Sequence, residues 1–209
     1  MGLPLSLQFT FIAVSSMAQQ RVVNAFGATV MAAFTAVSRV EQLLHQPYGT
    51  LSAALATYSG QNLGAKDMER IKLGFKKATE MMIIFSLFML PVMQFGSEAI
   101  VEVFVNDPEV IAYGAAGMRI TSWFYLFLGT IYVIRGVLNG VGDAMFALIN
   151  GVVEVIGRIV IPVLLVSIPF IGVRGIWIST GLVWAVSALF CVLRYVAWWK
   201  KNPLVNNAI

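Results

Sequence analysis

Charge is scarce in this chain of 209 residues: Asp, Glu, Lys and Arg make up 11%, against about 25% in an ordinary globular domain. Apolar residues make up 59% and the mean hydropathy is +0.83, so there are too few charges to solvate a soluble exterior. Cysteine is reduced to Cys191, which excludes an internal disulfide and a thiolate cluster for zinc. His45 is the only histidine, which excludes a multi-histidine metal site. No GxxxxGK[ST] phosphate loop, HExxH or GxSxG is present, which argues against an ATPase and two common hydrolase chemistries. No nucleophile–base constellation replaces them, so no enzyme, bound cofactor or resident metal is expected. The N-terminus lacks a basic n-region and a small-residue cleavage site, so it does not read as a signal peptide. The net charge of +4 does not point to nucleic acid, because the basic residues gather in one loop and near the C-terminus.

What remains is an all-α integral membrane protein. Six segments reach the ~20 mostly apolar residues that a crossing needs. They run from about Leu3 to Asn24, Val30 to Tyr58, Thr79 to Val105, Glu109 to Asn139, Asp143 to Ile168 and Val173 to Trp199. None alternates with period two, which argues against a β-barrel. The breaks carry their own chemistry. Ser59-Gly60-Gln61-Asn62-Leu63-Gly64 is rich in helix breakers. Asn106-Asp107-Pro108-Glu109 supplies a cap, a proline at the first helical position and an acid in the first turn. Gly140-Val141-Gly142-Asp143 and Pro169 with Gly172 mark the last two junctions. Lys66, Arg70, Lys72, Lys76 and Lys77 fall on the same side as Lys200 and Lys201. The bias places the protein in the cell membrane as a multi-pass bundle with both termini and the basic 60–78 loop in the cytoplasm. Met68, Ile71 and Phe75 recur at helical spacing in that loop, which predicts a short interfacial helix.

Polar groups inside such spans face a bundle interior or a wet cavity. Ser38, Glu41, His45, Tyr48 and Ser52 recur at steps of three and four and share one face of the second helix. Glu41 and His45, one turn apart, can share a proton and are coupling-ion candidates; a buried pair that only fixes packing is the alternative. Pro47 frees a backbone carbonyl nearby and reads as a hinge. Asn150, Glu154 and Arg158 are spaced by four. Glu154 is a third coupling candidate, either neutralised by Arg158 in the favourable orientation or exchanging Arg158 for Arg135. Ser122, Tyr125, Gly129, Tyr132, Arg135 and Asn139 form one stripe, with Tyr125 and Tyr132 as cavity-lining candidates. Gln8, Ser15, Gln19, Ser38, Tyr48 and Asn150 join them as candidate lining residues. Gly136 and Gly140 form a small-xxx-small packing pair.

Four stretches, in order, give the chain a resemblance. Gly2-Leu3-Pro4-Leu5-Ser6-Leu7-Gln8 looks like the opening of a seventh helix. Gln61-Asn62-Leu63-Gly64-Ala65 looks like a basic-loop motif. Phe104-Val105-Asn106-Asp107-Pro108-Glu109-Val110 looks like the ninth-to-tenth helix turn, and Gly136-Val137-Leu138-Asn139-Gly140-Val141-Gly142-Asp143 the tenth-to-eleventh junction. Together they resemble the C-terminal half of the multidrug and toxic compound extrusion (MATE) family. The resemblance implies a twelve-helix antiporter of two six-helix lobes, of which this chain is one. It also implies export of amphipathic, often cationic compounds in exchange for Na⁺ or H⁺. Met1 abuts the seventh-helix motif, so an N-terminal six-helix lobe elsewhere, or a second copy, is the expected partner. The acidic residues that bind the coupling cation in some bacterial members fall at Ile12 and Leu128, which directs attention to Glu41, Glu154 or residues of the missing lobe. Two other readings stand beside this one. One is a lipid-linked oligosaccharide flippase of the same superfamily, and the other is a non-transporting fragment or subunit.

Overall fold

Three helices begin on an aspartate, each for the same reason. The first backbone N–H groups of a helix have no partner inside it, and a short carboxylate satisfies them without leaving the chain. Asp67 accepts from the Arg70 N–H (3.0 Å), Asp107 from those of Glu109 (2.8 Å) and Val110 (3.3 Å), and Asp143 from that of Phe146 (3.2 Å). Pro108 follows Asp107 at the first helical position, where its missing N–H costs nothing. Asp107→Ala is expected to cost about 0.5–2 kcal/mol, read as a small drop in the thermal unfolding midpoint of detergent-purified protein.

The computed structural model describes residues 10, 14, 17 and 19–201, apart from the side chains of residues 144, 147 and 148. A helical stretch at 19–24 leads through Gly27, at φ 90°, into α1 (Ala28–Gly64). Then follow α2 (Met68–Glu102), α3 (Pro108–Ser122), α4 (Tyr125–Gly140), α5 (Ala144–Val166) and α6 (Arg174–Lys201). Among the described residues there are no strands. α4 is the hub, packed against α1, α2, α5 and α6, and α3 closes the bundle against α1, α2 and α6.

Several expectations are corrected. The fourth span, expected as one helix from about Glu109 to Asn139, is broken: α3 and α4 meet at 56° across Trp123–Phe124. Backbone freed at such a break must be satisfied within the protein. The Gln94 amide from α2 does this, donating to the Arg119 carbonyl (2.8 Å) and the Ser122 hydroxyl (2.7 Å). Arg119 returns a bond to the Gln94 carbonyl (3.2 Å) and pairs with Glu98 (2.8 Å). The glycine-bearing stretch after Tyr58 does not stop α1, which continues to Gly64, with Gly60 facing the Gly140 carbonyl. The expected interfacial helix is not separate; residues 68–78 are the first turns of α2, held by buried Met68, Ile71 and Ala78.

By length and composition, α2, residues 149–166 of α5 and α6 each suffice to cross a membrane, and the bent α3–α4 pair, taken together, is long and apolar enough for a fourth. At 37 residues, α1 extends about 55 Å, but Arg39, Glu41 and His45 interrupt its apolar character. The first of the six expected spans lies mostly outside the described residues. Only 17% of the most apolar window of α2 is buried within the chain, so most of that face requires hydrocarbon or another lobe.

Candidate functional site

The periodicity of α1 brings three of its polar residues to one opening. Ser38, Glu41 and His45 line a cavity of about 430 Å³ with Gln19, Arg158 of α5, and Thr180 and Trp184 of α6. The Gln19 amide is fixed by donating to the Thr180 hydroxyl (2.8 Å). Thr121 and Tyr125, from the two sides of the α3–α4 break, lie beside the Glu41 carboxyl, as does Arg158. Among the described residues, Glu41 Oε1, His45 Nε2 and the Tyr125 hydroxyl are buried without a hydrogen-bond partner. Leaving a buried polar atom unmatched costs about 1–3 kcal/mol, and two such atoms, Glu41 Oε1 and His45 Nε2, belong to residues that line the cavity.

Behind His45 lies a second polar centre. His45 Nδ1 and the Tyr132 hydroxyl are 3.5 Å apart, and the His45 ring meets Tyr132 and Trp184 edge-on, each at 5.9 Å between centroids. The Arg135 guanidinium lies 5.9 Å from the Tyr132 ring centroid. It donates to Glu154 Oε1 at 2.6 Å; the Glu154 side chain is buried and that of Arg135 is 13% exposed. The Asn150 amide donates to the same oxygen (3.1 Å), and the Cys191 thiol donates to the Asn150 carbonyl (3.4 Å).

The expected constellation is therefore divided. Gln19, Ser38, Glu41, His45 and Arg158 come together at the cavity. Glu154 pairs with Arg135 across helices, not with Arg158 one turn away, because α4 and α5 face each other there and Arg158 points into the cavity. Asn150 is fully buried as a support for Glu154 and does not line the opening. Tyr48 is likewise interior: its hydroxyl and that of Ser86 are 2.7 Å apart, and its ring stacks on Tyr132. Tyr125 is buried at 1% exposure and does not line the opening. Pro47 lies on the exposed side of an uninterrupted α1. Gln8 and Ser15, with Ile12, lie outside the described residues. Sequence reasoning missed Phe34, Gln42, Thr180 and Trp184. Phe34 continues the Ser38–Glu41–His45 stripe one turn back, and extending that stripe to aromatic residues would have found it; Thr180 with Trp184 forms an i,i+4 pair in α6, and nothing on the α1 stripe signals that pair or Gln42.

Residues 4–164 match the MatE family, which is more than half of the chain. The chain belongs to this family. The probable multidrug resistance protein YoeA of Bacillus subtilis is 23% identical over 208 residues, covering 99% of this chain and 45% of that protein. Multidrug and toxin extrusion protein 1 of Danio rerio is 27% identical over 152 residues, covering 72% of this chain and 26% of that one. The crystal structure of the Vibrio cholerae MATE transporter VcmN superposes with a TM-score of 0.89 at 20% identity, over 97% of this chain and 46% of that one. The fold is thus that of one lobe of a MATE transporter, an all-helical membrane bundle. The chain spans under half the length of these relatives, as the resemblance of its motifs to the C-terminal half implies.

Proposed function

We propose that this MatE chain is one lobe of a secondary active efflux antiporter, which exchanges amphipathic or cationic compounds for H⁺ or Na⁺ by alternating access. The observation that carries this reading is Glu41: a carboxyl in the middle of an apolar bundle, with one oxygen unmatched among the described residues, on the wall of a cavity. Such a group is stable in hydrocarbon surroundings only when it holds a proton or a cation, or when a partner faces it. His45, one turn away with its own unmatched nitrogen, shares the load. Glu154 is held by Arg135 and Asn150, which supports Glu41 over Glu154 as the exchanging group. Pro47 is proposed as the hinge of α1, because its ring leaves the carbonyl four residues earlier unbonded.

The partner is an N-terminal six-helix lobe or a second copy, seated over the cavity face within the cell membrane, with both termini in the cytoplasm. The flippase alternative loses support. A pyrophosphate holder needs several uncompensated cations, whereas Arg119 is paired with Glu98 and Arg135 with Glu154.

The test is dye efflux from proteoliposomes holding the chain with its partner lobe, under an imposed H⁺ or Na⁺ gradient. Glu41→Gln is expected to slow gradient-driven efflux at least about tenfold while leaving dye binding within about twofold, because a barrier change of ~1.4 kcal/mol in the coupled step alone gives that ratio. Undiminished transport by Glu41→Gln would remove this lobe from the coupling role.

A further inference from the structure

On the basic side of the bundle, a groove of about 390 Å³ runs between α1 and α2. Leu51, Leu55 and Tyr58 form one wall, and Leu73 and Met81 form the other, with Lys77 on the rim. Gly74 makes the floor: the Tyr58 ring is so close that a Cβ there would meet it at 2.5 Å. Leu51 and Leu55 each lie about 80° around α1 from Glu41 and His45 respectively, so a lobe that closes the cavity need not cover this groove.

Charge is placed at one end only. Arg70, Leu73, Lys77 and Met81 follow one another at three- and four-residue steps, so the two cations share one face of α2 with Leu73 between them and Met81 beyond. Arg70 and Lys77 are both exposed, and Lys66 and Lys76 add to the positive field there. The Lys77–Glu80 ion pair is solvent-facing on both sides and holds Lys77 only weakly. Beyond Met81, the apolar strip continues along α2 through Ile84 (68% exposed) and Phe88 (66%). The long lysine and arginine stems can lie along the apolar wall while their charges stay at the polar boundary.

We infer that this groove binds one anionic phospholipid, with its phosphate between Arg70 and Lys77 and an acyl chain along Leu51, Leu55 and Met81. A lipid answers both features together: the cationic head takes the phosphate, and the exposed apolar strip takes the chain. A polypeptide covering the same strip would have to meet two cations with acidic groups of its own.

Native mass spectrometry of the chain with its partner lobe, titrated with dioleoyl phosphatidylglycerol or dioleoyl phosphatidylcholine, tests this. The intact protein should retain one phosphatidylglycerol about 25-fold more tightly than phosphatidylcholine, since each of the two basic side chains near the surface contributes roughly fivefold. The Arg70→Gln/Lys77→Gln variant should lose that preference. Arg70→Lys/Lys77→Arg should keep it, as should Lys200→Gln/Lys201→Gln, which removes equal charge elsewhere on the same side. Equal retention of both lipids by the intact protein would overturn the inference, as would full preference in Arg70→Gln/Lys77→Gln. An equal loss in the Lys200→Gln/Lys201→Gln control would overturn it too, by reducing the effect to diffuse surface charge. A groove occupied by the partner lobe would give no retained lipid at all, which is also a negative result.

Discussion

Glu154→Leu destabilises the bundle by about 3–5 kcal/mol, because it leaves the Arg135 guanidinium buried and uncompensated. The second half of the experiment carries the argument. Arg135→Met combined with Glu154→Leu removes both charges, and an apolar pair of similar volume is often as stable as a buried ion pair. Most of the loss should therefore return. Recovery stays incomplete, since the Asn150 amide then lacks its acceptor, at a cost of about 1–3 kcal/mol. Arg158→Met combined with Glu154→Leu gives no recovery, because Arg135 is still stranded. Thermal unfolding of the three variants in detergent, followed by tryptophan fluorescence, separates these outcomes. Recovery with the Arg158 double variant and none with the Arg135 one would put the partnership back within α5.

That partnership also shows where the sequence stopped being legible. Caps are local: Asp107, Pro108 and Glu109 act on N–H groups within three residues, so the turn between α2 and α3 could be read directly. The stripe on α1 is also local, because helical pitch alone brings Ser38, Glu41 and His45 together. The break at Trp123–Phe124 has no glycine or proline to announce it. It is fixed by Gln94, more than twenty residues away in the chain. The partner of Glu154 was ambiguous for the same reason. Spacing by four favours Arg158, whereas the packing of α4 on α5 selects Arg135. Tyr48 and Asn150 were grouped with the cavity residues because periodicity gives a face but not what covers it. Ser86 covers one, and Glu154 and Cys191 cover the other.

Gly140→Leu is expected to abolish the folded protein, and the reason lies in which atoms stand opposite. A Cβ at Gly140 would collide with the Ala56 carbonyl oxygen and come within 2.9 Å of the Ala56 Cα and the Ser59 Cβ. At Gly136 it would meet the Ser52 carbonyl at 2.7 Å and the Ser52 Cα at 3.1 Å. Apart from the Ser59 Cβ these are backbone atoms, which cannot rotate away as a side chain can. Extra methylenes in a packed core cost about 1–3 kcal/mol where side chains can adjust. Here α1 and α4 must separate instead, and α4 is the helix on which the others pack. Gly60, whose own Cβ would stand 3.0 Å from the Gly140 carbonyl, extends the contact by another turn. Gly49 provides the control. It lies within α1, with only the Tyr132 ring at 4.0 Å from a Cβ. Gly49→Ala should therefore stabilise by about 0.5–1 kcal/mol through helix propensity alone. Monodisperse yield and unfolding midpoint report both effects. The two glycines thus have opposite consequences for one physical reason, the presence or absence of a facing main chain. A normally folded Gly140→Leu would mean that α1 and α4 do not touch through their backbones, and the placement of Glu41 and His45 relative to Tyr132 and Arg135 would go with it.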